Sequence, residues 1–478
     1  MNTQVSAARR DETMAAVTSA LAVAATAFAG FLAATHLNVV AALAGLALLA
    51  VWGAFAVARP RTAIAASFVA LLVAGTKFRT RDADESLAGV LDAQILLELG
   101  LFGAVAAGIA AMWLAGKVDR RRATAMEVIA GGYVAIAMLS SAWSSAPALT
   151  FVRAGQLAIV VALAITATRV LTPSQALQRA FGAIGGFVMI CATLAAVFPF
   201  ASGTFDYPEH GMFRFAWFAA HPIEVGTLAA LGALGLMSAM FFKPATPMAR
   251  PLGVPLPLAA AGLTVVLLLT SSRGPLLAFA AGVGTLVLMR FEARMRAAFA
   301  LAGVAAVLTL FAFGPSVADS LASVANSDSA ISRTLFRGQT ADDVLALNGR
   351  MDLWNDLRPA IAERSLFGYG YQASRTVLLD TAEWAAYAHN ALLQALLDLG
   401  VIGTLTLVAL LGMGLFGAVT ASSPWLRAAI AAVMVFLVLN SISTESFAGA
   451  PGVEMLLLML CGLGALRHEP EPASGSWR

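Results

Sequence analysis

Cysteine and charge are both scarce in this sequence, and each shortage closes off a class of protein. The two cysteines, Cys191 and Cys461, fall inside apolar runs, which excludes a disulfide framework and a thiolate-built metal cluster. Charged residues make up 12% of the chain, against about 25% in a soluble domain. There is no Walker loop, no Rossmann glycine pattern, no HExxH zinc motif and no Ser/His/Asp arrangement that stands out. Asp82-Ala83-Asp84 has the spacing of an acidic metal pair. Lys77, Arg79 and Arg81 compete for those carboxylates, so a solvated charge cluster is the better reading, and neither metal nor cofactor is expected. The net charge of +3 reads as loop topology, and no nucleic-acid partner is expected.

What the chain does have is apolar sequence: 60% hydrophobic residues and a mean hydropathy of +0.82. Length alone would allow three soluble domains, but apolar segments of about 17–25 residues recur along nearly the whole chain. In lipid every backbone N–H and C=O must be paired internally, which leaves helices or a closed barrel. The runs are continuous and rich in Ala and Leu, so they predict helices. The expected fold is an all-α integral membrane protein of about fourteen transmembrane helices. Spans are expected near 14–35, 38–58, 62–76, 90–115, 125–143, 151–169, 178–198, 221–242, 255–271, 275–290, 298–314, 391–418, 425–441 and 452–466. The first is too long for a signal-peptide core and is read as an uncleaved span. With both termini cytoplasmic, the short loops divide Lys and Arg eighteen inside against six outside. Residues 315–390 then form one long extracytoplasmic loop carrying short helices, the clearest of them over 349–363, kinked by Pro359.

Charge inside a span is costly, about 2.5–3.5 kcal/mol at a helix centre. Glu98, Glu224 and Asp398 all sit in the outer part of their spans and Arg273 at an outer hairpin, with nothing comparable in the cytoplasmic half. Each alone could snorkel to the interface; their shared side points to an outward polar cavity. Arg273, held by the Gly274-Pro275 turn, suits bidentate capture of a phosphate or serves as an interfacial anchor. Arg350 and Trp354 share a helix face, which suits an anionic, sugar-bearing lipid or a solvated charge beside a docking Trp. His389, followed by Asn390 where the loop re-enters the membrane, could accept a proton near neutrality or be structural. Arg214, shortly before His221-Pro222, is a further candidate phosphate ligand.

These segments together resemble the O-antigen ligase and Wzy-type polysaccharide polymerase superfamily of bacterial inner-membrane proteins. The matching pieces, in order, begin with Ser272-Arg273-Gly274-Pro275-Leu276-Leu277 and Gly349-Arg350 followed by Trp354 and Leu366-Phe367-Gly368-Tyr369-Gly370. His389-Asn390-Ala391-Leu392-Leu393 and then Leu399-Gly400-Val401-Ile402-Gly403 complete them. Leu139-Ser140-Ser141-Ala142-Trp143-Ser144 and the stretch from Arg214 to His221-Pro222 are also similar to the family. The resemblance covers about 130–440, and divides the chain into N-terminal helices (1–129), a ligase/polymerase-like core (130–440) and a last span with a polar tail (441–478). One departure is Glu224 two residues after Pro222, where the family often has Asn nearby, which leaves the role of Arg214 open.

The resemblance implies a metal-independent, inverting glycosyltransferase with a glycosyltransferase-C-like fold, without cofactors, acting at the periplasmic face of the inner membrane. Its implied donor is a glycan on undecaprenyl pyrophosphate; its acceptor is another glycan or the lipid A core. Membrane lipids and other polysaccharide-assembly proteins are the implied partners. By the same resemblance Arg273 and Arg350, with Arg214, would bind the pyrophosphate, His389 would be catalytic, and Trp354 and Asn390 would support them. The N-terminal quarter, including Thr76-Lys77-Phe78-Arg79, is more like exopolysaccharide-type members and favours a polymerase over an O-antigen ligase. A lipid-linked oligosaccharide flippase or other transporter also suits the span number, but the internal repeat common in transporters is not visible.

Overall fold

The computed structural model describes residues 39–78, 92–198, 202–207, 212–292, 294–295, 349–382 and 385–465. The expected spans at 14–35 and 298–314, the Asp82-Ala83-Asp84 pair, and the part of the long loop at 315–348 lie outside the described residues. Among the described residues the first helices are α1 (Val39–Ala58), α2 (Pro60–Ala74), α3 (Ala93–Leu114), α4 (Ala125–Leu139), α5 (Pro147–Val170) and α6 (Pro173–Val197). A β-hairpin follows, β1 (Ser202–Tyr207) and β2 (Met212–Trp217), then α7 (Pro222–Phe242), α8 (Leu256–Leu269) and α9 (Arg273–Leu288). The loop helices are α10 (Arg350–Asp356), α11 (Arg358–Glu363) and α12 (Arg375–Thr381), and the chain closes on α13 (Ala391–Thr420), α14 (Pro424–Asn440) and α15 (Val453–Ala465).

Each remaining expected span coincides with one apolar helix to within a few residues. Six of these, α3 to α7 and α13, are long and apolar enough to cross a membrane, and six more are shorter. The starts are written in local chemistry. Thr124 and Thr172 cap α4 and α6 with reciprocal capping boxes to Glu127 and Gln175, and proline opens α2, α5, α6, α7 and α14. Two expectations are corrected. The all-α reading missed the antiparallel hairpin, which pairs Phe205 with Arg214 and Thr204 with Phe215. The kinked helix at 349–363 is two helices meeting at Leu357, because Pro359 lacks the N–H that would carry a single helix through.

α7 is the most enclosed span, packed against α6, α8, α9 and α14. The other main feature is a break in α13. At Gly400 the backbone turns to φ +65° and ψ −163°, a region only glycine visits readily. The freed backbone groups need partners, and residues 365–370 supply them. Tyr369 and Gly370 donate to the Leu397 and Asp398 carbonyls at 2.8 Å each, and Val401 donates to the Ser365 carbonyl at 2.8 Å. A Cβ on Gly400 would collide with the Leu366 carbonyl, and one on Gly368 would come within 2.5 Å of the Asp398 carbonyl. The stretch at 140–145 clasps the other edge of the same loop. The Trp143 indole donates to the Phe367 carbonyl at 3.1 Å, Ser145 N–H to the Tyr369 carbonyl at 3.0 Å, and Tyr371 N–H to Ser140 Oγ at 3.0 Å. Three of the motifs singled out in the sequence therefore build one another's support.

Candidate functional site

Arg273 is the first residue of α9, and the turn before it is fixed from behind by Arg214 on β2. The Arg214 Nε donates to the Thr270 carbonyl at 2.9 Å and Nη2 to Ser272 Oγ at 2.7 Å, with the side chain 4% exposed. The residue expected as an anion ligand is thus a buried buttress of this turn, and its positive charge repels that of Arg273. Gly274 lets α9 settle against the end of α14, since a Cβ there would collide with Ser443 Oγ.

His389 is held by the same turn at the end of α14. Ala391 N–H donates to the Ser441 carbonyl at 3.0 Å, and Asn390 Nδ2 to the Ile442 carbonyl at 3.4 Å. Asn390 also caps α13, its Oδ1 accepting from Leu392 and Leu393 N–H at 3.0 and 3.1 Å. The segments that carry Arg273 and His389, 116 positions apart in sequence (389 − 273), therefore both pack on residues 441–443. Arg350 opens α10 after Gly349 and lies within electrostatic reach of His389, His221 and Glu445. Trp354, one turn on, donates its indole N–H to the Ala388 carbonyl at 2.9 Å.

Three residues that the sequence does not single out for the site, Glu445, Lys77 and His221, join this cluster together with Glu224, expected at an outward cavity. Glu445, between α14 and α15, sits 3.8 Å from His389 Nδ1, and both side chains are about a quarter exposed (26% and 25%). Lys77 pairs with Glu224 at 2.7 Å, and the Glu224 carboxylate holds its ammonium well above the usual lysine range. His221 Nδ1 accepts from Ile223 N–H at 3.2 Å while Glu224 closes the capping box of α7. Because Nδ1 accepts, Nε2 carries the proton of the neutral ring. Burial, with Arg214 next, lowers His221 to about 4, against a smaller upward pull from Glu224. Burial, then Arg350 and His221, also lower His389 to about 4. Burial raises the Glu445 carboxyl above the ordinary range. The signals for these residues were present but quiet: a lysine among outer basic residues, a histidine before proline, and a lone acid between the last two spans.

Glu98, Glu224 and Asp398, expected on one side, do not form one site. Glu98 on α3 pairs with Arg153 on α5 at 2.5 Å, and Gln156 donates to it at 2.8 Å. Asp398 is 1% exposed and accepts from Ser374 Oγ at 2.6 Å and Gln394 Nε2 at 3.1 Å, which ties the loop to α13. Only Glu224 faces the cluster. The opposite end of the bundle is charged too, contrary to expectation: Arg169 and Glu127 form a buried two-pronged pair at 3.1 and 2.9 Å. Pairing inside the protein is what makes such charges tolerable in a span.

Chemically, the cluster offers Lys77, Arg214, Arg273 and Arg350 as cations and two neutral imidazoles, against Glu224 and Glu445. Such a set suits an anion of more than one charge, with a proton acceptor beside it. No group of His, Cys, Asp and Glu fit to hold a metal is found among the described residues. Among known proteins, the family model for O-antigen ligase matches residues 258–408. That segment runs from α8 into the second half of α13 and contains Arg273, Arg350, Trp354, His389 and Asn390; Lys77, Arg214, His221 and Glu445 lie outside it. No curated protein matches the chain.

Proposed function

We propose, from the premise that this chain is of the O-antigen ligase and Wzy-type family, that it is a membrane glycosyltransferase of the glycosyltransferase-C-like kind. It moves a glycan from undecaprenyl diphosphate to an acceptor hydroxyl at the periplasmic face, and the reaction is polymerisation of a surface or exopolysaccharide. The observation that carries this reading is the pair of arginines that open α9 and α10, Arg273 and Arg350, with the His389 imidazole within electrostatic reach of Arg350.

In the proposed reaction the acceptor oxygen bonds to the anomeric carbon as that carbon's bond to the diphosphate oxygen breaks on the opposite face, inverting its configuration. The acceptor proton passes to the His389 imidazole. The electron pair leaves with the diphosphate, where Arg273 and Arg350 stabilise the growing charge, with Arg214 behind them; no metal takes part. A neutral imidazole held near 4 is a weak base. A bound diphosphate would offset Arg350 and favour the imidazolium, strengthening the base when the donor is in place.

Replacing Arg273, Arg350 or His389 by Ala is expected to abolish transfer, a loss of at least about 100-fold for groups acting on the transition state, while the protein remains in the membrane. Glycan profiling of a gene deletion distinguishes the reactions. Single repeats left on the carrier indicate a lost polymerase; full-length polymer stranded on it indicates the alternative, a ligase that serves the lipid A core. Repeats trapped on the inner leaflet would indicate a flippase. A broken helix is common in transporters, where the break lines a substrate cavity. The break in α13 is filled by residues 365–370 instead, which favours the transferase.

A further inference from the structure

Trp354 stands one turn after Arg350, yet its indole N–H is directed at backbone, 2.9 Å from the Ala388 carbonyl. That carbonyl belongs to the peptide unit joining Ala388 to His389, so fixing it fixes the plane from which the His389 φ is measured. His389 has φ +50°, a left-handed conformation that a residue with a Cβ keeps only when its surroundings hold it there. The surroundings do so on both flanks. On one side Trp354 takes the Ala388 carbonyl and Gln394 Oε1 takes the Ala388 N–H at 2.9 Å. On the other, Ser441 and Ile442 take the Ala391 and Asn390 donors.

Of these four holds, only the Trp354 bond comes from the helix that begins at Arg350. It also sits beside a small core, in which Leu353 of α10 and Leu357 at its end pack with Leu378 of α12, Ala385 and Ala388 of the following turn, and Leu397 of α13. α10 and the turn leading to His389 are thereby one packed unit.

We infer that Trp354 is a positioning residue: its indole N–H sets the aim of the His389 imidazole and couples it to the helix that presents Arg350. This rests on the role proposed above for His389, and it differs from a Trp that stacks on the substrate. The position of the anion-binding guanidinium and that of the proton acceptor are then set together, by one side-chain-to-backbone bond.

Trp354→Phe tests this, because it keeps an aromatic ring, though a smaller one, and removes the donor; Trp354→Tyr, which keeps a hydroxyl donor on a ring of that smaller size, is the second variant. The full-length protein in lipid nanodiscs is treated with diethyl pyrocarbonate, and carbethoxylation of His389 is followed by peptide mass spectrometry across pH, with His221 as internal reference. Loss of the bond is expected to change the His389 rate several-fold while the His221 rate stays at the wild-type value. With the host's undecaprenyl-diphosphate-linked glycan as donor, kcat is expected to fall about tenfold and KM to stay within about twofold. An unchanged His389 rate overturns the inference. So does a raised KM at unchanged kcat, which would make Trp354 a substrate contact. The carbethoxylation arm uses no glycan, so failure of the transferase reading shows separately, as wild-type protein without transfer.

Discussion

His389 keeps an imidazole neutral in a place crowded with cations. Burial, Arg350 and His221 together hold it near 4. A base lowered in this way gains its proton only as pH falls through about 4, so it stays available throughout the neutral range. The pH profile of kcat/KM, which reports the free enzyme, is therefore expected to lose activity on the acid side near pH 4. A limb at the ordinary imidazole position, about 6.5, would contradict the environment described. In the profile of kcat the acid limb should lie higher, since the donor's negative charge opposes Arg350 when it is bound. Steady-state kinetics across pH in nanodiscs reads both limbs. At this scale much was legible in the sequence. Arg273, Arg350 and His389 each carried a local reason to be noticed: a tight turn, a helix start and a re-entry into the membrane. Lys77, His221 and Glu445 did not, because their significance is their neighbours, and those are 147, 168 and 56 residues away, taking Glu224, His389 and His389 in turn.

Among the elements, α13 shows how a sequence pattern can be right in extent and incomplete in form. Its apolar run predicted one span, and hydropathy cannot register a break that costs no apolar residue. Leu399-Gly400-Val401 stood out by resemblance, whereas the reason for Gly400 lies in Leu366, whose carbonyl occupies the space of a side chain. Gly400→Ala is expected to destabilise the protein by about 1–3 kcal/mol from backbone conformation alone, with the collision added. Gly412→Ala on the same helix, where a Cβ would meet nothing within 4 Å, should be neutral or stabilising. Thermal unfolding of the two detergent-solubilised variants compares them directly, and equal melting temperatures would remove the argument for a conformational break. The hairpin of β1 and β2 escaped notice for a related reason. Its aromatic residues, Phe205, Tyr207, Phe213, Phe215 and Trp217, alternate along strands too short to compete with the apolar helices on either side.

Taken whole, the molecule answers an apolar composition with a bundle of small and branched residues, and places its charge in a few paired sets. Arg153 with Glu98 and Arg169 with Glu127 lock α3, α4 and α5 at opposite ends, while Lys77 with Glu224 and His389 with Glu445 belong to the cluster around Arg350. Composition foretold that bundle, because paired backbone in lipid admits few alternatives. Which helix ends would converge was a matter of tertiary packing. The turn at 440–443 on which both Arg273 and His389 rest lies beyond the matched segment 258–408. A chimera made by transplanting that segment from a related enzyme would thus bring its own arginines and histidine but inherit the host's anvil. Such a graft is expected to insert yet transfer glycan poorly, and to recover when the donor's own counterpart of 436–445 travels with it, as a complementation assay would reveal. If it recovers, the segment needed for a working graft is longer than the stretch 258–408 that the family model matches.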